Sequence, residues 1–447
     1  MFRAVLVANR GEIARRVIRA CRRLGLRTVA VHSEADGGAL HVREADEAVL
    51  LGPAPARESY LAIDRIVDAA RRTGADAVHP GYGFLSENWR FAEACARAGL
   101  VFVGPPPEVI RAMGDKTEAR RLMEAAGVPT VPGSRGAVAD AAKAEAVAAR
   151  IGYPIVVKAA GGGGGIGMAR VERAADLPAA FATATRRAQA AFGDPALYVE
   201  RYLERPRHVE VQVFGDRHGQ LVHLHERECS IQRRHQKLVE ESPAPGLDPA
   251  VKRGLAEAAL AGARAIGYVN AGTMEFLVDA GGRFYFLEMN TRIQVEHPVT
   301  EEVTGVDLVA EQLRVAAGER LSWRQKDIVQ RGAAVECRVY AEDPAKGFLP
   351  SPGTITALAV PSGDGIRVES GVEAGTVVTV HYDPLLFKLV ARGRDRHEAL
   401  DRMSSSLAAC TVEGVRTNLA FLARVVAHPD FRRGAAHTQM VEAGAFA

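Results

Sequence analysis

The chain has 447 residues, 47% of them hydrophobic and 25% charged, the balance of a folded protein of about three domains rather than a disordered one. Its 57 Lys and Arg against 54 Asp and Glu leave a net charge of +3, too small to argue for a nucleic-acid partner in a chain without a basic block. No apolar run of roughly 18 residues occurs, so no membrane span is expected, and the opening MFRAVLVANRGEIARR lacks the apolar region and cleavage site of a secretory signal.

The first hundred residues alternate short apolar runs with helix-sized stretches. Ala4 to Ala8 read as a buried strand, and Ile13, Val17, Ile18, Cys21 and Leu24 then recur at helical spacing and stop at Gly25. Thr28 to Val31, Ala75 to His79 and Leu100 to Gly104 are the next strands. This alternation predicts a doubly wound parallel α/β domain over residues 1–115, whose ligands collect at the carboxyl ends of strands. Asn9-Arg10-Gly11-Glu12 and His79-Pro80-Gly81-Tyr82-Gly83 then lie at a site edge, unless the second segment only shapes a turn. The Pro-rich stretch Gly104 to Pro107 and a helical run to Pro129 read as a connector, the helical linker proper being 116–130. A smaller unit, 131–203, holds strand Ile155 to Lys158, a glycine run, strand Met168 to Val171, a helix over about 176–191, and strand Leu197 to Glu200. From about His208, the alternation of Val209, Val211 and Val213 with polar residues predicts antiparallel sheet in an α+β domain, 204–447.

Glycines 161 to 165, followed by Ile166-Gly167-Met168, form the loudest local signal. A glycine inside a regular element costs about 1 kcal/mol relative to alanine, so the run is a loop. Its place between two apolar strands favours a hairpin tip whose backbone N–H groups close over phosphates, with a flexible linker as the plainer reading. No Lys-Ser or Lys-Thr follows, so it is no Walker A loop, and the strand-like Met-Ala-Arg-Val after it weakens a dinucleotide-fold reading. Lys158 before the loop and Lys116 in Gly-Asp-Lys-Thr could each reach a phosphate oxygen, though either alone also reads as an exposed lysine.

Residues 272–290 read as a β-hairpin. With Ala280 to Arg283 as the loop, Asp279 faces Phe284 and Glu275 faces Glu288. Opposed side chains have Cβ atoms ~5 Å apart, and two like charges there repel by roughly 3 kcal/mol at an effective dielectric of 20. A buried face keeps that arrangement only with a proton or a cation between the two, whereas a solvated face tolerates it. Asn290 falls on the same side, and two carboxylates with an amide oxygen suit Mg²⁺ or Mn²⁺. Arg292, Gln294 and Glu296 continue the parity; if the chain stays extended they hold an anion beside a metal-bound phosphate and offer a general base. Ser230 to Lys237 is a dense cationic patch, at the surface or at a site, and Arg338 in an alternating strand needs solvent or a site to serve.

These segments together resemble the biotin carboxylase component of biotin-dependent acyl-CoA carboxylases (acetyl-CoA and propionyl-CoA type), members of the ATP-grasp superfamily. The resemblance runs from VANRGEIARRVIRAC through HPGYGFLSEN, MGDK, GGGGGIGM, PRHVEVQV, ERECSIQRRHQKLVEESPAP, EMNTRIQVEHPVTE and AVECRVYAEDP to FLPSPG, nearly the whole chain. It implies an ATP-grasp fold in which a mobile lid closes over ATP. It also implies that Lys116, Lys158 and the loop glycines Gly163, Gly164 and Gly165 touch phosphates, and that Glu200 and Leu203 meet the adenine. His208, Gln232 and His235 then line the ribose and phosphates, while Glu275, Glu288 and Asn290 hold divalent metal, two ions by the family pattern. Bicarbonate is implied at Lys237, Arg292, Gln294 and the Val295 backbone, with Glu296 as general base. The resemblance further implies that Arg338 stabilises the biotin enolate and that Tyr82 stands near the biotin ring. The implied reaction is ATP- and bicarbonate-dependent carboxylation of biotin through carboxyphosphate, forming a C–N bond.

Three positions depart from the commoner pattern: Ile166 where a basic residue is frequent, Arg201 where lysine is usual, and Arg23 in place of an acidic residue at a subunit contact. No Met-Lys-Met occurs and the length leaves no room for a carboxyltransferase, so the expected partners are a separate biotin carboxyl carrier protein, a carboxyltransferase subunit and a second copy in a homodimer. Cys21, Cys95, Cys229, Cys337 and Cys410 stand far apart without a CxxC pair, which argues against disulfides or structural zinc and for the cytoplasm. Two alternatives are another ATP-grasp ligase forming an acyl-phosphate, disfavoured by SIQRRHQK and RIQVEHPVTE, and a non-catalytic nucleotide-binding subunit, which predicts loss of base or metal ligands.

Overall fold

In a computed structural model that describes residues 2–159 and 168–446, the first strand, β1 (Ala4–Val7), is buried at every position. The helix Gly11–Arg23 lays Ile13, Val17, Ile18 and Cys21 on it and ends before Gly25, whose φ of +70° suits a residue without a Cβ. With β2 (Arg27–Ser33), β3 (Glu47–Gly52), β4 (Ala77–His79) and β5 (Val101–Phe102), β1 forms a parallel sheet in the order β3-β2-β1-β4-β5. The edge strand β3 was absent from the sequence reading because an edge needs little apolar alternation, and only Leu51 of its six residues is buried.

The order reverses between β1 and β4, which opens a crevice at their carboxyl ends. Across it Asn9 Nδ2 donates to the carbonyls of Pro80 and Tyr82, both at 2.7 Å. A Cβ on Gly81 would sit 2.9 Å from that nitrogen, so glycine here permits a close approach and sets the Tyr82 backbone.

Two helices, Pro107–Gly114 and Lys116–Ala125, form the connector. Asp115 caps the second by accepting from the N–H groups of Thr117 (2.9 Å) and Glu118 (3.0 Å), so the Gly-Asp-Lys segment is a helix start. Beyond it, β6 (Ile155–Ala159), β7 (Ala169–Val171) and β8 (Leu197–Arg201) pair in the order β7-β6-β8 under the helices Ala141–Ile151 and Leu177–Phe192. The first of those helices is alanine-rich and gave no periodic signal. Gly163, Gly164, Gly165 and Ile166 lie outside the described residues.

The rest is built on an eight-stranded sheet: β9 (Arg207–Gly215), β10 (Leu221–Arg233), β11 (Gln236–Ser242), β12 (Asn270–Val278), β13 (Phe284–Asn290), β14 (Ala333–Tyr340) and two later strands, Ile366–Ser370 and Leu385–Gly393. The order is β13-β12-β9-β10-β11-β14, then Leu385–Gly393, with Ile366–Ser370 at the edge, and every pairing is antiparallel.

The β12–β13 hairpin pairs Glu275 with Glu288 and Thr273 with Asn290, as expected. Nearer the turn the register slips by one: Phe284 pairs with Val278, and Asp279 bonds Arg283 inside the turn. A bulge at Leu287 absorbs the extra residue, a feature periodicity cannot announce. Nor does the chain stay extended after Asn290. It leaves the sheet, and Glu296 becomes the cap of the helix His297–Thr304. No helix among the described residues is long and apolar enough to cross a membrane.

Candidate active site

The site lies on the face of the large sheet where β9, β10, β11, β12 and β14 present polar side chains to the loop 291–296. At its centre Lys237 Nζ donates to Glu210 Oε2 (2.5 Å), Glu275 Oε1 (2.8 Å) and Glu296 Oε1 (2.7 Å). Burial alone disfavours an ammonium here, but these three carboxylates outweigh it and raise its pKa well above the ordinary value. Lys237 belongs to the cationic segment 230–237, which is surface at Arg234 and His235 and turns inward at Gln232 and Lys237. Its strand turns back through Arg234 and His235, both at positive φ, and this places Gln232 and Lys237 inward and His235 at the exposed tip.

Glu275 is the second hub. Its Oε1 also accepts from Asn290 Nδ2 (2.8 Å) and Gln294 Nε2 (2.6 Å), and its Oε2 lies 2.9 Å from His208 Nε2. Desolvation works against the charged carboxylate, yet Lys237 and His208 hold its pKa far below the usual range. The same contact raises His208 against its own burial, and Gln232 Nε2 approaches the other ring nitrogen at 3.5 Å. Glu288, opposite Glu275, is exposed to the cleft, where surrounding protein and then the Glu275 charge push its pKa upward. Lys237 already fills the cluster of His208, Glu210 and Glu275, which leaves Glu288 as the carboxylate of this face that opens to the cleft.

Glu296 accepts from Lys237 and, at Oε2, from Arg338 Nη2 at 3.0 Å. Burial disfavours its charge, but Lys237, Arg338 and Arg227 drive its pKa well below normal, so it stands ionised. Arg338, whose role the strand pattern left open, is buried and also lies 2.5 Å from Glu240 Oε1. Arg292 donates through Nη2 to Asn290 Oδ1 (2.6 Å) and through Nε to Glu87 Oε2 (3.0 Å). Thus Arg292, Gln294 and Glu296 do converge, through a loop and a helix start rather than through an extended strand.

Farther out, Glu200 is held by Lys158 and by Arg120 Nη1 at 3.1 Å, and Leu203 is half-buried between β8 and β9. Lys116 is exposed at the start of its helix. Arg201 spends its guanidinium on the Ile151 carbonyl (2.7 Å from Nη2) and its backbone N–H on Pro132 (2.8 Å).

Residues 1–110 match the family described as biotin carboxylase, N-terminal domain, residues 115–324 the carbamoyl-phosphate synthase L chain ATP-binding domain, and residues 336–443 the biotin carboxylase C-terminal domain. The chain is 52% identical over 442 residues to Biotin carboxylase 2 of Bacillus subtilis, covering 99% of each protein. The chain belongs to the biotin carboxylase family. It is also 53% identical to the alpha subunit of a mitochondrial methylcrotonoyl-CoA carboxylase from Oryza sativa, over 98% of this chain and 60% of that subunit. The biotin carboxylase domain dimer of a 2-oxoglutarate carboxylase from Hydrogenobacter thermophilus, solved with MgADP, ADP and bicarbonate, superposes with a TM-score of 0.93 at 48% identity, over 100% of this chain and 98% of that one. The fold is ATP-grasp, and the biotin carboxylase reaction is that of a ligase forming a C–N bond.

Within this biotin carboxylase fold, sequence reasoning missed several residues. Glu210 shares the inward face of β9 with His208 and Gln212, a parity that could have found it. Arg227 is fully buried and donates to Glu210, Gln212, Thr273, Gln294 and Thr300. It had no such signal, because β10 changes register between His223 and Glu226. Glu87, Glu12 and Lys388 reach the site from distant segments. The basic set on the first helix is paired within the chain: Arg15 with Glu44, Arg16 with Glu301 and Asp307, Arg19 with Glu369, and Arg23 with Asp307.

Proposed function

We propose that this cleft carboxylates biotin on a separate carrier protein, using ATP and bicarbonate, with the residue roles that the family resemblance implies. The observation that carries this reading is the Lys237–Glu296–Arg338 cluster, an ionised carboxylate gripped by two buried cations. Bicarbonate entering beside Arg292 and Gln294 competes with Glu296 for those cations. As their hold loosens, the carboxylate becomes more basic at the moment it must take the bicarbonate proton. A bicarbonate oxygen then bonds to the γ-phosphorus while the bond to ADP breaks. The resulting carboxyphosphate yields CO₂ and phosphate, the phosphate accepts the ureido N–H proton, and the nitrogen bonds to CO₂. Arg338 faces the enolate oxygen of that ureido group as a fixed charge, with Tyr82 beside the ring.

ATP is read as spanning Lys116, Lys158 and the glycine run, with the adenine near Glu200 and Leu203 and the phosphates near His208, Gln232 and His235. The oxygen-rich set of Glu275, Glu288 and Asn290 fits Mg²⁺ or Mn²⁺, since Glu288 sits exposed beside a second carboxylate that raises its pKa. When bound, such an ion supplies charge neutralisation on the phosphates. We divide the chain at 115, 130 and 203, with 131–203 as a lid that closes over nucleotide. The partners are a biotin carboxyl carrier protein, a carboxyltransferase and a second copy of this chain, with the cytoplasm as the compartment. The acyl-CoA served by the complex is left to the carboxyltransferase, because relatives of comparable identity serve different carboxylases. The test is ATP cleavage that requires bicarbonate and is stimulated by free biotin; cleavage indifferent to both overturns the reading.

A further inference from the structure

Lys388 is fully buried in the strand Leu385–Gly393, directly opposite Arg338 in the β14 ladder. A buried ammonium pays heavily in desolvation, and an apolar side chain of similar volume usually packs there at no loss of stability. The cation is therefore explained by what it holds. Its Nζ donates to the Val295 carbonyl at 2.7 Å and lies 3.2 Å from Glu12 Oε1. That same oxygen accepts the hydroxyl of Tyr82, and the ring of Tyr82 is centred 5.9 Å from Nζ. Glu12 is itself buried, at the start of the helix that follows β1.

Four partners fix the loop that precedes Glu296. Glu87 takes the Thr291 N–H (3.0 Å), Arg227 takes the Gln294 side chain (2.7 Å), His297 Nδ1 sits 2.7 Å from the Gln294 carbonyl, and Lys388 takes Val295. Among them only Lys388 continues, through Glu12, to Tyr82. The parallel-sheet domain thus reaches the anion loop at Glu87 and, through the buried Lys388–Glu12 pair, ties it to Tyr82.

We propose that Lys388 and Glu12 are positioning residues that lock the Val295–Glu296 turn to the Tyr82 wall, and so set where the biotin ureido group stands relative to the bicarbonate-derived carbon. This deepens the site reading above and rests on it. Neither residue touches substrate; their effect is the alignment of two reactants, where a misplacement of about 1 Å costs on the order of 100-fold in rate.

The experiment uses the full chain carrying K388M, K388R, E12Q, the double variant K388M/E12Q, or R292A. Readouts are KM for bicarbonate, biotin-stimulated turnover and MgADP affinity. K388M is expected to raise KM for bicarbonate and lower biotin-stimulated turnover by about 100-fold, with MgADP affinity within twofold of the parent. E12Q should lower biotin-stimulated turnover while sparing bicarbonate-dependent ATP cleavage, and the double variant should be no worse than K388M. K388R, which keeps the charge, should recover part of the loss. Should K388M not fold, E12Q decides alone. If R292A raises KM for bicarbonate while K388M and E12Q behave like the parent, the positioning role is overturned and the site reading stands. If R292A leaves that KM unchanged, the site reading falls and takes this inference with it.

Discussion

One sheet carries two pairs of opposed glutamates and treats them differently. Glu275 faces Glu288 across β12 and β13, and Glu240 faces Glu336 across β11 and β14. In the first pair Glu275 is surrounded by Lys237, His208, Asn290 and Gln294, while Glu288 opens to the cleft. In the second pair both side chains are fully buried; Arg338 approaches only Glu240, and Glu336 has no hydrogen-bond partner. Burial pushes the Glu240 pKa up to about 7, with the Glu296 charge adding to it against Arg338, and burial holds that of Glu336 well above normal against the Lys388 charge, with Glu240 adding to the rise. Repulsion is offset by cations around Glu275 in the first pair, whereas in the second Arg338 faces Glu240 alone and burial raises both pKa values, which favours a bound proton. The same two-residue alternation places one carboxylate at the open cleft edge in the first pair and buries both beside Arg338 in the second.

The sharpest way to break this contrast is to neutralise one member of each pair. E275Q strips the hub that aligns Lys237, Asn290 and Gln294, and is expected to lower ATP cleavage by about 100–1000-fold. It should also cost about 3–5 kcal/mol in urea unfolding, because Lys237 and His208 lose a buried partner. E336Q replaces an acid whose burial raises its pKa well above normal and so favours the neutral form, and its urea-unfolding free energy should change by no more than about 0.5 kcal/mol. Equal destabilisation by the two substitutions would end the distinction between cation-held and proton-held pairs.

Glu296 adds a carboxylate held by two cations, whose grip the proposed mechanism releases in turnover. E296A should lower biotin carboxylation by about 100–10,000-fold and leave nucleotide affinity nearly unchanged. Near-parental turnover would remove it from the base role. R338A should reduce carboxylation more than bicarbonate-dependent ATP cleavage, by a ratio of about tenfold, if its charge serves the enolate as proposed. Equal loss of both activities would make Arg338 a structural clamp on Glu296 and Glu240.

Legibility in the sequence followed the same contrast. The Glu275–Glu288 pair could be read because a hairpin has its register set by a nearby turn, and a bulge at Leu287 left that pairing intact. The parallel strands were readable from apolar runs, except β3 at the exposed edge. Glu240 and Glu336 face each other across about 95 residues of intervening chain, and no local pattern announces such a neighbour. Lys388 and Glu87 were hidden for the same reason. Arg292, Gln294 and Glu296 were placed together rightly but by a path the chain does not take, since Glu296 caps a helix.

The smallest expected effect distinguishes the pairs by the sign of their pH dependence. Glu275 has its pKa lowered, so its contribution is present above the ordinary value of 4.5 and is lost as pH falls towards the lowered one. Glu240, at about 7, binds a proton in the folded state that the unfolded chain has released above about 4.5. Between those values the folded state holds more protons than the unfolded, so stability declines as pH rises. E240Q removes that decline and should flatten the urea-unfolding profile between pH 5 and 7 relative to the parent. E275Q should flatten the acid limb instead. A profile for E240Q parallel to the parent through pH 5 to 7 would mean that Arg338 holds Glu240 ionised, and that the second pair, like the first, is settled by a cation.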